Sequence, residues 1–385
     1  MKLVSYLEKK SDLEIFKENE IKEVLISPLY LTRMGKSSLE DTHFLAKEAK
    51  KTGLKTVLVW DIVMTEEDFQ EAVFYFKKID LSYFDAIRVQ DPGAIQWIQL
   101  NTKHPIQLIL ETGNRNILGI QKWISSVERL EKVIFSIELS KEMLLKTLSE
   151  ISVPVEILVM GPILLFYSPR ALLSFDKKSE NLDPLRWIEA KADSEEGFHH
   201  DFKVIENKHG TFMFLPRELC LLDKIDELKQ MNIESFRIDL RHQSTEKFLP
   251  QIKKLIENFN SKDWQDFKKN YPEKLIRGFY AANKSDILFK KLKNQNIQRV
   301  DKNYLGEVLE AKKGSYLVLK IKSKTLELKM GSHIKFKTTT GKEVVSKVTQ
   351  LRNSRLELID SASHGAIVIV NPVNAVTVKS AVYQH

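Results

Sequence analysis

The sequence predicts an α/β protein, a (β/α)8-like parallel barrel followed by a small all-β barrel domain. Three observations predict it. Short β-branched runs alternate with amphipathic stretches eight times within residues 1–261. From Tyr304 to residue 385 the texture changes to short alternating strands separated by turn residues. Between them, residues 262–303 mix Lys, aromatics and Asn with weaker periodicity, as expected of a basic segment connecting two domains.

Taken in order, "IKEVLIS" (21–27) leads into a helical pattern over residues 39–51, and "LKTVLVW" (54–60) into "TEEDFQEAVFYFKKI". "FDAIRV" (84–89) precedes "DPGAIQWIQ", where Asp91 ahead of Pro92 fits a helix N-cap. "IQLIL" (106–110) precedes "NILGIQKWISSVERL", and "KVIFSI" (132–137) precedes "SKEMLLKTLSEI". "VEILVM" (155–160) reads as a sixth, buried strand that breaks at Gly161 and Pro162 and gives way to a long irregular insertion. "GTFMFL" (210–215) is expected as the seventh strand, with Cys220 in the apolar helix "ELCLLDKIDEL", and "SFRIDL" (235–240) as the eighth, ahead of "TEKFLPQIKKLIENF". Eight units suit a closed parallel barrel, and an open doubly wound sheet is the alternative. In the last domain "KKGS" and "TTGKE" read as hairpin turns.

A composition of 43% hydrophobic and 29% charged residues is that of a globular chain. No apolar run approaches the ~18 residues of a membrane span, so the expectation is a soluble, cytoplasmic protein with no membrane partner. Cys220 is the only cysteine, which excludes an intrachain disulfide and any metal or iron–sulfur site built from several thiolates of this chain. The formal charge of +8 is unevenly placed. Residues 301–385 hold 14 Lys/Arg against 7 Asp/Glu and residues 262–300 hold 10 against 4, which leaves −5 for residues 1–261. A basic rear half points to RNA, or to a protein partner, with Trp264, Phe267, Tyr271, Phe279 and Tyr280 as rings on which bases could stack or as anchors onto the barrel.

In a parallel barrel the chemistry sits at the C-terminal ends of the strands. Those positions carry Asp61, Asp91, Glu111, Glu138, Asp239 and Arg241, a polar mouth in which Asp61, Glu111, Glu138 and Asp239 could bind Mg²⁺ or act as acid and base. His209 precedes the expected seventh strand, and His199 and His200 lie in the insertion. No P-loop, dinucleotide glycine fingerprint, paired-histidine zinc helix or nucleophile elbow occurs.

The succession "VEILVMGPILLFYSPRALLSF", "LRWIEA", "NKHGTFMFLPRELCLLDKIDEL", "IESFRIDLRHQS", "LIRGFYAANKSD" and "YLGEVLEA" resembles the collagenase-like peptidases, family thirty-two of the peptidases of unassigned mechanism. "VQDPGAI", "PIQLILETGNRN" and "ELSKEML" extend the resemblance over nearly the whole chain. It implies a barrel plus a small β-barrel, and kinship with RNA and ubiquinone hydroxylation proteins that carry an iron–sulfur cluster. Where such relatives read His-Gly-Ala-Leu-Cys-x-x-Tyr-Ser-Gly-x-Cys, Met160 replaces the histidine, Leu164 and Ala171 replace the cysteines, and Pro169 replaces a glycine. Gly161, Tyr167 and Ser168 match, with Arg170 beside them. The cysteine ahead of Arg186 and Trp187 is Leu185, and only Cys220 survives of four. The lysine/arginine-Ile-acid-x-Arg pattern is "RIDLR", with Asp239 for glutamate and Leu240 for glycine. The resemblance thus implies loss of the cluster, its pocket filled by hydrocarbon, with Tyr167, Ser168, Arg170, Arg186 and Trp187 left as binding residues. A cluster-less RNA-binding relative, a hydrolase as the family name implies, and a metabolic enzyme using the acidic mouth all stay open.

Overall fold

The computed structural model describes residues 2–111, 114–174, 187–193, 201–280, 301–338 and 342–385. The chain divides into two units, Met1–Leu288 and Phe289–His385. In the first, strands β1 (Lys2–Tyr6), β2 (Ile21–Ile26), β3 (Lys55–Trp60), β4 (Ala86–Val89), β5 (Ile106–Leu110), β6 (Leu130–Phe135) and β7 (Val155–Ser168) pair in sequence order, all in parallel. The chain then makes an antiparallel excursion through β8 (Trp187–Ala192), β9 (Phe202–Asn207) and β10 (Gly210–Cys220). Strand β11 (Ser235–Ile238) returns in parallel between β7 and β1 and closes an eight-stranded barrel.

Each barrel strand is buried on both faces, which is why these segments read as near-continuous apolar runs. Helices α1 (Asp12–Glu18), α2 (Leu39–Lys51), α3 (Glu66–Phe76), α4 (Pro92–Asn101), α5 (Ile117–Ser126) and α6 (Lys141–Ser149) follow the first six strands, α7 (Ile225–Gln230) follows β10, and α8 (Thr245–Glu257) follows β11. Their starts are written in the sequence. Ser38, Thr65, Asp91, Asn116, Ser140 and Ser244 each accept a backbone N–H of the first helical turn, and Asp91 is therefore an N-cap.

The count of eight parallel strands holds, but its membership differs. Lys2–Tyr6 is the first barrel strand, and Gly210–Cys220, expected as the seventh, runs antiparallel to β7. Cys220 accordingly ends a strand and is not helical. Nor does the chain break at Gly161 and Pro162: β7 continues through them for 14 residues, and its second half leaves the barrel to pair with β10. Gly161 makes this exit possible. Its φ is +150°, and a Cβ there would lie 2.8 Å from the Asp239 Cβ.

Residues 261–280 belong to the barrel unit. Helix α9 (Ser261–Asn270) and the short strand β12 (Leu275–Ile276), which pairs with β10, bring Phe267, Tyr271 and Tyr280 into the main apolar core at 1–5% exposure. Trp264 packs against the same core, so these rings anchor the segment and only Phe279 is substantially exposed. The rest of the expected connecting segment, 281–300, lies outside the described residues.

In the second unit, β13 (Tyr304–Lys312), β14 (Tyr316–Ile321), β15 (Leu328–Lys329), β16 (His333–Lys337), β17 (Glu343–Lys347), β18 (Leu351–Asn353), β19 (Ser361–Ala362), β20 (Ile367–Val370) and β21 (Ala381–Gln384) form an antiparallel half-barrel. Its seven-stranded sheet runs β17-β16-β21-β13-β14-β20-β18, with β15 and β19 paired separately. "KKGS" is the β13–β14 hairpin turn, with Gly314 at φ +72°.

Candidate functional site

The barrel interior is not apolar throughout. Six inward residues, one per strand, meet in it: Glu23 (β2), Arg88 (β4), Gln107 (β5), Lys132 (β6), Glu156 (β7) and Arg237 (β11). Arg88 donates to both Glu156 oxygens, at 2.7 and 2.6 Å, and to Gln107. Lys132 lies 2.7 Å from Glu23 and 2.8 Å from Glu156. Burial alone would raise the Glu156 carboxyl, but Arg88, Lys132 and Arg237 more than offset it and hold the group down to about 2. Isolated charges cannot be buried like this, so the network stands or falls together. Its signal in the sequence is a charged or amide residue at an interior position of six largely apolar strands.

Above this layer lies the mouth. Arg237 donates to Glu111 and, at 3.3 Å, to the Tyr6 hydroxyl. Arg33, in the loop after β2, pairs with Asp61 at 3.4 Å and reaches to 4.0 Å of Glu111, while its backbone N–H donates to Asp61 at 2.7 Å. Arg241 forks Asp239 at 2.9 and 2.7 Å, with its guanidinium 3.7 Å above the Tyr6 ring. Burial opposes the charge of Asp239, yet Arg241 holds its carboxyl below the usual range. Glu138 stands apart, 2.5 Å from Arg115. The carboxylates expected to bind a cation or move a proton are thus each taken up by a guanidinium, and among the described residues no group of three His, Cys, Asp or Glu is placed to hold a metal.

The β8–β10 meander is fastened beside this mouth. Asn207 donates to the Arg33 carbonyl at 2.7 Å, and the His209 ring lies 2.6 Å from the Leu29 carbonyl, so His209 is a structural tie; burial lowers its pKa. Tyr167 donates to the His209 carbonyl at 3.0 Å and stacks on Phe212 at 4.9 Å. The Ser168 hydroxyl accepts the Arg170 N–H at 3.2 Å, and Lys36 sits 4.1 Å over the Trp187 ring. Buried Glu206 collects the Leu173 N–H and the Ser174 and Thr211 hydroxyls at 2.6–3.0 Å, pinning residues 170–174 to the meander.

Of the four positions where the resemblance implies cluster cysteines, Leu164, Ala171 and Cys220 lie among the described residues. Leu164 packs with Ile205, Phe212, Phe214, Tyr167 and Trp187 in a small satellite core, whereas Cys220 lies in the barrel core opposite Met160. Four residues of β7 separate the two positions, ~13 Å of strand, so the expectation that Leu164 and Cys220 fill one pocket is not met. Ala171 is half-buried, and Leu185, Arg186, His199 and His200 lie outside the described residues. One thiol cannot replace the four ligands that such clusters take. Cys220 is 2% exposed and burial pushes its thiol up to about 12, the opposite of an activated nucleophile.

A cleft of about 880 Å³ opens between the meander, the turn after β11 and residues 272–274. No local pattern announces it, because its walls come from segments that meet only in the fold. Its walls include Pro162, Phe214 and Pro272, and its polar groups include Arg217, Glu218, His242, Gln243, Glu273 and Lys274. Glu218 accepts from the Tyr271 hydroxyl at 2.6 Å and from Gln243 at 2.9 Å, and burial raises its pKa.

Comparison with known proteins agrees with the family resemblance. The sequence model of peptidase family U32 matches residues 11–295. The tRNA hydroxylation protein P2 of Bacillus subtilis (strain 168) is 23% identical over 214 residues, 53% of this chain and 67% of that protein. Among solved structures, the U32 peptidase Mk0906 aligns over 62% of this chain and 92% of its own at 9% identity, with a TM-score of 0.40. The C-terminal domain of a Geobacillus thermoleovorans protein described as a U32 peptidase aligns over 23% of this chain and 99% of its own, at 11% identity and a TM-score of 0.21.

Proposed function

The chain belongs to peptidase family U32, and from that premise we propose that it binds RNA in the service of tRNA or rRNA modification without running redox chemistry itself. One observation carries the reading: the stretch that relatives use to ligate a cluster holds hydrocarbon at Leu164 and Ala171, in a chain that keeps 23% identity to a tRNA hydroxylation protein. The charge distribution supports it, since residues 301–385 carry twice as many Lys/Arg as Asp/Glu, and clustered cations bind phosphates by releasing counterions.

The other readings find less support. A protease needs a nucleophile beside a base or a metal-bound water, and neither Cys220 nor Ser168 has such a neighbour among the described residues. An acid–base or Mg²⁺ enzyme at the mouth would have to compete with the guanidinium groups of Arg33, Arg237 and Arg241.

The test is anaerobic purification with iron quantification, a visible spectrum and sequencing of co-purifying RNA. Enriched tRNA or rRNA fragments released by high salt, with no stoichiometric iron, is the expected result. Stoichiometric iron with a cluster spectrum, or a preparation free of RNA at low salt that binds no added tRNA, overturns the proposal.

A further inference from the structure

We propose that the 880 Å³ cleft is a binding site for one nucleotide, with its ring against Phe214 and the prolines, its polar edge read by His242 and Gln243, and its phosphate held by Arg217 and Lys274. The inference rests on the RNA reading and gives it a place. It follows from which groups in the cleft are already used. Lys191 is paired with Asp201 at 3.0 Å and Lys203 with Glu189 at 3.7 Å, so these four largely cancel. Glu218 is occupied by Tyr271 and Gln243 and is disposed by burial to be neutral. Exposed Glu273 also lines the cleft and offsets part of the charge of Arg217 and Lys274, which leaves these three with one net positive charge. A cationic rim, an apolar wall and two polar edges are left over.

Arg217 and Lys274 are exposed at the rim and have no ion-pair partner among the described residues. Both line the same cleft, and a guanidinium with an ammonium suits a phosphate. The apolar part of the lining is Phe214 with Pro162, Pro216 and Pro272, against which a planar ring can pack. His242 lines the cleft too, 6.4 Å from the Phe214 ring centroid in an edge-on arrangement, with no hydrogen-bond partner among the described residues. Burial, then the charge of Lys203, depresses its pKa to about 4, so at neutral pH the imidazole carries one donor and one acceptor. Gln243 spends its amide N–H on Glu218 and keeps its carbonyl oxygen to accept. A donor and two acceptors beside an apolar wall, with cations at the rim, are the complement of a phosphorylated heterocycle, and the volume lies within the usual range for ligand sites.

The full chain is titrated by calorimetry with each of the four ribonucleoside 5′-monophosphates and with ribose 5-phosphate. Saturable binding of at least one mononucleotide is expected, with ribose 5-phosphate much weaker because it lacks the ring. R217Q/K274Q changes only exposed side chains and should weaken that binding about tenfold or more, about 1.4 kcal/mol; H242A should weaken it too while leaving ribose 5-phosphate unaffected. No binding of any mononucleotide at millimolar concentration, binding unchanged in both variants, or equal binding of ribose 5-phosphate overturns the inference. RNA retention without mononucleotide binding refutes the cleft alone, and mononucleotide binding without RNA retention refutes the RNA reading alone.

Discussion

Glu156→Gln tests whether the charged layer inside the barrel is held together as a unit. Glu156 is fully buried and accepts from Arg88 at 2.7 and 2.6 Å, with Lys132 at 2.8 Å and the Arg237 Nε at 3.6 Å. The amide keeps the volume but removes the charge and turns an acceptor into a donor facing donors. Two routes give the magnitude. Displacement of the carboxyl from 4.5 to about 2, at about 1.4 kcal/mol per pH unit, is worth roughly 3 kcal/mol. Breaking a buried ion pair by removing one partner costs about 3–5 kcal/mol. The sign follows from the direction of the shift. A carboxyl depressed in the folded state stabilises fully above its unfolded value and loses that contribution as pH falls through the folded value. Urea unfolding of the barrel unit should therefore show E156Q less stable by roughly 3 kcal/mol at pH 7, with the deficit shrinking as pH falls toward 3 and vanishing below about pH 2. A deficit under about 1 kcal/mol at pH 7, or one that does not change between pH 6 and pH 3, would refute the linkage.

Three further predictions concern single contacts. A thiol reagent should label Cys220 only at the rate at which the barrel opens, because the sulfur is 2% exposed with its pKa near 12; labelling in seconds under native conditions would contradict the burial. Tyr271→Phe should cost about 1–3 kcal/mol in thermal or urea unfolding, since it strips a buried donor from Glu218; an unchanged midpoint would show that water replaces the hydroxyl. Gly161→Ala should destabilise by about 1–3 kcal/mol, because its φ of +150° and the 2.8 Å approach to Asp239 leave no room for a Cβ; a neutral effect would mean that β7 leaves the barrel without needing that conformation.

Much of the architecture follows from local pattern. β2 to β7 and β11 are apolar runs of strand length, the helix starts carry Ser, Thr, Asp or Asn at their caps, and Asp91 and the Asp239–Arg241 pair lie within a few residues of what they bind. What misled was equally local. Gly161 and Pro162 usually punctuate a strand, yet here they redirect one, because β10 supplies a new partner for the residues beyond. "ELCLL" has the composition of a helix, but its first residues extend a strand paired on both sides, with β7 and with β12.

The sequence by itself determined the alternation of strands and helices, the change to antiparallel texture at Tyr304, the charge imbalance between the two halves, and the presence of a single cysteine. Only the tertiary structure decided that Lys2–Tyr6 meets Ser235–Ile238 to close the barrel, that Glu23, Arg88, Lys132 and Glu156 face one another inside it, and that guanidinium groups occupy the mouth. Propensity and periodicity act over a few residues. Closure instead joins Ser5 to the carbonyl of Ile238 across 233 positions, and the partners of a buried charge are fixed by that closure.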